Sequence, residues 1–109
     1  MSDLDELRKA VVAFTQERDW DQFHNGKDLS IALSLEASEL LEAFLWKDAN
    51  EVSIAKIREE LADVINYAIL IADKNNLDIK EIVLEKLARN AEKYPVSKAK
   101  GTAKKYNEL

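Results

Sequence analysis

Four acidic side chains in the middle of the chain have the spacing to hold a cation. Glu36 with Glu39, and Glu60 with Asp63, form two pairs spaced i,i+3 inside a strongly apolar helical pattern over residues 35–67. On a helix, residues three apart lie about 60° apart around the axis with Cβ atoms roughly 5–6 Å apart, so each pair projects from one face. Carboxylate oxygens gathered in this way suit a hard divalent cation, Mg²⁺ or Mn²⁺. The competing reading is ordinary surface charge, since 34% of the chain is charged and Lys56 stands where it can pair with Glu60 at i+4.

The helical wheel sharpens the choice. With Leu29 at zero, Glu36 falls at about 340° and Glu39 at about 280°, both along the apolar side of their helix. With Val52 at zero, Asp63, Tyr67 and Glu60 fall at about 20°, 60° and 80°, a stripe bordering the apolar arc of the next helix. If the two stripes face, four carboxylates converge, and the desolvation that a carboxylate suffers there is offset by a bound cation. Further along, Lys86, Asn90 and Lys93 share the side of a helix that carries Ile79 and Val83. Cations and an amide beside a metal cluster suit a triphosphate, although lysine stems that merely pack on the core would look the same. Trp20, Phe23, His24 and Trp46 could wall a flat ligand such as a base, or serve as core. The lone His24 is equally suited to a structural hydrogen bond.

These side chains need four helices to position them. The first runs from a cap at Ser2 or Asp3 to about residue 18, with Leu4, Leu7, Val11 and Phe14 on its apolar face. Residues 19–28 lose the periodicity and read as a loop. Asp28 is the expected cap of a second helix from residue 29 to about 47, with Leu29, Leu33, Leu40 and Phe44 on one face and Ile31, Leu35, Leu41 and Leu45 on the others. A helix apolar nearly all round is buried on more than one side, and in a chain this short the second surface is expected from another subunit. Residues 48–50 read as a break, after which Asn50 or Ser53 caps a third helix that continues to about residue 75. Its expected buried arc is Ile54, Ile57, Leu61, Val64, Ile65, Ala68 and Ala72, and Asn75 and Asn76 end it. The fourth runs from about residue 78 to 94, burying Ile79, Ile82, Val83 and Leu87, and Pro95 stops it. Residues 96–109, with four lysines and Tyr106, have no periodicity and read as a tail.

The expected architecture is therefore all-α, a four-helix bundle over residues 1–95 with a C-terminal tail at 96–109. Composition agrees: 109 residues suffice for one modest core, and only two Gly and one Pro disfavour a sheet with many tight turns. A formal net charge of −5 argues against a nucleic-acid surface, and a polyanionic small molecule would need a bridging cation. There is no Cys, hence no disulfide framework or thiolate metal site. No secretory signal is recognisable and no apolar run reaches the roughly 18–20 residues of a membrane span, so a cytoplasmic protein with no membrane partner is expected.

Taken together, the segments also carry a family likeness. Glu36-x-x-Glu39 followed by Glu60-x-x-Asp63 resembles the metal motif of the all-α nucleoside triphosphate pyrophosphatases, the MazG-like superfamily. Residues 17–24 (ERDWDQFH), 44–47 (FLWK), 59–63 (EELAD), 93–96 (KYPV) and 104–109 (KKYNEL) resemble its dCTP pyrophosphatase branch. The resemblance implies Mg²⁺-dependent hydrolysis of a deoxynucleoside triphosphate, dCTP or a modified dCTP, to the monophosphate and pyrophosphate by water attack at the α-phosphorus. It implies Glu36, Glu39, Glu60 and Asp63 as metal ligands, with Glu36 handling the water beside Glu39. It places Tyr67, Lys86, Asn90 and Lys93 on sugar or phosphate, and Trp20, His24 and Trp46 around the base. It further implies a homotetramer built as a dimer of dimers. Two departures bear on base preference: a short connection over residues 47–52, and Val11, which offers no polar group where some relatives place one. Within the same superfamily, dUTP and phosphoribosyl-ATP are the rival substrates, and a non-catalytic helical oligomer is the rival from outside it.

Overall fold

The computed structural model describes residues 2–48 and 50–109. Five α-helices account for its regular structure together with two 3-10 turns, and no strand occurs among the described residues: α1 Asp3–Glu17, α2 Gly26–Glu42, α3 Ile54–Lys74, α4 Ile79–Lys93 and α5 Val96–Ala99. The chain divides into two compact units, Met1–Leu77 and Asp78–Leu109.

Each long helix begins at a side-chain cap that accepts a hydrogen bond from the third helical N–H. Ser2 caps α1 and forms a reciprocal capping box with Asp5, which holds the Asp5 carboxyl below its ordinary range. Ser53 caps α3 and Asp78 caps α4. For α2 the cap is Asn25 rather than the expected Asp28; the Asp28 N–H donates to Asn25 Oδ1 at 2.8 Å, so the helix starts earlier. It also stops earlier than residue 47. Phe44 N and Leu45 N donate three residues back, to Leu41 O and Glu42 O, tightening the last turn, and Trp46 then turns left-handed at φ 64. Of the expected break at 48–50, residue 49 lies outside the described residues, and Glu51 N donates to Asp48 O at 3.0 Å in a turn.

In the first unit, α3 packs against both α2 and α1. The core is Leu29, Ala43, Val52, Ile69, Leu70 and Ala72, with Leu29 only 1% exposed. This corrects the expected arc of α3. Ile69 and Leu70, which lie outside that arc, are buried, whereas Ile54, Leu61 and Ile65 face outward. Being flanked by two helices encloses the C-terminal half of α3 on several sides, which a one-sided wheel does not anticipate. Buried Thr15 donates its hydroxyl to Val12 O at 2.8 Å and so satisfies itself within α1. The outward Ile31, Leu35 and Leu41 of α2, with Leu45 in the turn that follows, match the all-round apolar pattern.

In the second unit, none of the residues expected to be buried on α4 is so: Ile79 is half-covered, and Ile82, Val83 and Leu87 are exposed. Nor is the tail featureless. Pro95 ends α4 and begins α5, and Tyr106, on the final 3-10 turn, meets the Tyr94 ring edge-on at 6.2 Å, with the Lys93 ammonium 4.9 Å above its face. No helix is long and apolar enough to cross a membrane among the described residues.

Candidate metal centre and base cavity

The helix pair α2 and α3 brings three of the four acidic residues together. Glu36, Glu60 and Asp63 each offer an oxygen within 4.8 Å of the others. Glu60 is 7% exposed, Glu36 is half-buried and Asp63 exposed, so the cluster opens to solvent on the Asp63 side. Glu39, one turn along α2, stands beside this trio, near enough to act on both Glu36 and Glu60.

The electrostatics of the cluster are uneven. Burial pushes the Glu36 carboxyl up to about 7, helped by the hydrogen bond with Glu39 and by the charges of Glu39, Asp63 and Glu60. Glu60 moves the other way. The Lys56 ammonium, 2.8 Å from its Oε1, holds its carboxyl below the ordinary range although burial opposes this, and Lys56 is correspondingly pushed up. Glu36 Oε2 and Glu60 Oε2 are both buried with no hydrogen-bond partner among the described residues. Orphaned carboxylate oxygens are costly unless something absent from the protein itself satisfies them. Two of them in an all-oxygen cluster fit a divalent cation.

Beside the cluster lies a cavity of about 430 Å³ between α1, the following turn and α3. Leu7, Ala10, Val11 and Phe14 form its α1 wall, Trp20 and His24 come from the turn, and Asp63, Asn66, Tyr67 and Leu70 from α3. The wall is mostly apolar with a few polar groups, as ligand cavities are. The turn is firmly held. Asp19 takes φ 55, a conformation Asp tolerates, while Gln22 donates to both Asp19 O and Asp19 Oδ2 at 2.9 Å. The Lys74 ammonium at the end of α3 reaches Asp21 Oδ1 at 3.0 Å. Phe14 meets Trp20 edge-on at 5.8 Å, and the Arg18 guanidinium lies 3.6 Å over the Phe14 ring.

Thus Trp20, His24 and Tyr67 join Asp63 around one cavity, and His24 Nδ1 is buried with no hydrogen-bond partner among the described residues. Trp46 is not among them; it is 99% exposed. Lys86, Asn90 and Lys93 are carried by α4 in the second unit. Thr15 and Asn66 line the cavity but were not singled out by spacing. Asn66 had a legible signal, an amide one residue before Tyr67 in an otherwise apolar run; Thr15 had none, because its side chain is satisfied locally.

Comparison with known proteins places this geometry. Residues 31–109 match the MazG-like family. The chain is 36% identical over 114 residues to dCTP pyrophosphatase 1 of Mus musculus and to that of Homo sapiens, across 97% of this chain and 67% of each relative. A crystal structure of a pyrophosphatase from Archaeoglobus fulgidus matches with a TM-score of 0.81 at 30% identity, covering 87% of this chain and 94% of that one.

Proposed function

The chain belongs to the MazG-like family, and from that membership we propose that it is a metal-dependent pyrophosphohydrolase of deoxynucleoside triphosphates, acting foremost on dCTP or a base-modified dCTP. Water attacks the α-phosphorus, the bond from that phosphorus to the bridging oxygen breaks, and the products are the deoxynucleoside monophosphate and pyrophosphate. One observation carries the reading: Asp63 belongs both to the carboxylate cluster and to the wall of the aromatic-lined cavity. A base seated in the cavity therefore brings its phosphates to the carboxylates.

Glu36, Glu60 and Asp63, with Glu39 beside them, would hold Mg²⁺, and Mn²⁺ is an alternative with the same donor preference. Bound there, the cation supplies charge to the phosphoryl oxygens and a lowered pKa for the attacking water. The protein's own part is positioning and proton handling. Glu36, with Glu39 beside it, orients the attacking water and accepts its proton. Trp20 and His24 flank the base and Tyr67 the sugar. Lys86, Asn90 and Lys93 are assigned to sugar and phosphates by their match to the family's segments. The outward apolar residues of α2 and the bare Trp46 support a homotetramer, built as a dimer of dimers, in which other subunits cover them. The setting we propose is the cytoplasm.

The test is product analysis with Mg²⁺ over a panel of dCTP, 5-methyl-dCTP, dUTP, dTTP and phosphoribosyl-ATP. The expected products from dCTP are dCMP and pyrophosphate, and Asp63→Asn should abolish their release while circular dichroism stays helical. Orthophosphate as the product, or turnover of phosphoribosyl-ATP alone, would overturn the assignment.

A further inference from the structure

The start of α3 breaks a local rule that the other long helices obey. The third helical residue, whose N–H meets the capping side chain, is Asp5 in α1, Asp28 in α2 and Glu81 in α4, but Lys56 in α3. An acidic residue is favoured there because it can complete a capping box and because the helix dipole presents positive charge; a lysine is disfavoured on both counts. Local rules broken without local gain point to a functional demand. The gain is one turn further on. The Ser53 cap accepts from Lys56 N at 3.1 Å and pins the lysine backbone, and the Lys56 ammonium sits 2.8 Å from Glu60 Oε1.

That contact divides the Glu60 carboxylate into two different oxygens. Oε1 is engaged by Lys56, while Oε2 is buried and takes no hydrogen bond among the described residues. Resting on the metal reading of the cluster, we propose that Lys56 positions Glu60 for the cation, holding Oε1 so that Oε2 is the oxygen offered. A carboxylate clamped at one oxygen binds with the other alone and cannot swing away. Groups that orient a ligand in this manner typically change metal affinity by about 10–100-fold when removed. An opposing effect has to be weighed. Lys56 also repels the cation, but its side chain is 52% exposed, so water and salt screen that repulsion to a severalfold effect at most. Positioning should win.

The experiment measures binding of Mn²⁺ alone to the metal-free protein by electron paramagnetic resonance, in the natural chain and in Lys56→Met, Lys56→Gln and Lys56→Arg, with helicity checked by circular dichroism. We expect Lys56→Met to weaken Mn²⁺ binding about tenfold, Lys56→Gln to fall between, and Lys56→Arg, which keeps charge and donor, to stay within about threefold. Should Lys56→Met not fold, Lys56→Gln against Lys56→Arg carries the comparison. Equal or tighter Mn²⁺ binding by the Met or Gln variant would overturn the proposal and make Lys56 a mere competitor of the cation. Unchanged Mn²⁺ binding with a raised KM for dCTP would overturn it in favour of a phosphate contact. Absence of Mn²⁺ binding by the natural chain would instead refute the metal reading itself.

Discussion

Acidification from about pH 8 to about pH 6 should weaken Mn²⁺ binding to the metal-free protein roughly tenfold, and the whole of that change should trace to Glu36. A cation binds the ionised carboxylate, so a ligand that holds a proton must first release it. With its carboxyl raised to about 7, Glu36 is ionised in about one molecule in eleven at pH 6 and in about ten in eleven at pH 8. Glu60, held below the ordinary range by Lys56, is ionised across that window and adds no slope. Mn²⁺ titrations at three pH values give the affinities, and Glu36→Gln, whose residual binding is weaker, should show no such slope. The same proton links to folding. A carboxyl raised in the folded chain favours the fold at pH values below 4.5, where folded and unfolded chains both hold the proton, and that contribution is lost as pH rises through about 7. The metal-free protein should therefore melt at a lower temperature at about pH 7.5 than at about pH 5 from this group, with the trend flattened in Glu36→Gln. Equal Mn²⁺ affinity at both ends of the range, or a slope that survives in Glu36→Gln, would refute the reasoning.

Other outcomes follow from packing. Leu29→Ala empties the most buried side chain of the core and should cost about 2–5 kcal/mol in urea unfolding. Lys74→Ala removes the ammonium that ties Asp21 to α3; the pair is partly exposed, so stability should fall by less than about 1 kcal/mol, while a loosened Trp20 and His24 should raise the KM for dCTP with little change in kcat. Leu35→Glu places a charge on the outward face of α2, where Leu35 is 61% exposed, and should reduce the proposed tetramer to a smaller species by light scattering without loss of helicity.

The helices were largely legible because capping and periodicity are local. Ser53, the Asn75–Asn76 ending and the Asp78 cap all sit where side-chain chemistry requires them, and Asn76 takes the left-handed φ 54 expected at a helix end. The acidic trio was legible for the same reason, since i,i+3 spacing fixes a shared face. What escaped depended on neighbours. The end of α2 lies in an apolar Phe44-Leu45-Trp46 run with no Gly, Asn or Pro to mark it, and its termination shows only in the tightened hydrogen bonds and the backbone of Trp46. Ile69 and Leu70 are buried because α1 and α2 both flank α3, a tertiary fact that no single-helix pattern contains. The Lys56–Glu60 contact was visible as an i+4 pair, but its meaning needed the second oxygen, whose isolation is a property of the fold.

Trp46 gives the chain an optical consequence. The protein has two tryptophans, one lodged edge-on against Phe14 and the other, Trp46, bare to water on a left-handed residue. Two indoles in such different surroundings form emitters of unequal access: Trp20 is 47% exposed and Trp46 99%, so a dissolved quencher such as iodide reaches Trp46 the more freely. Any partner surface that closes over Trp46 would convert the open emitter into a shielded one. Quenching against protein concentration would then read assembly directly, without a label, while a base entering the cavity would be read at Trp20.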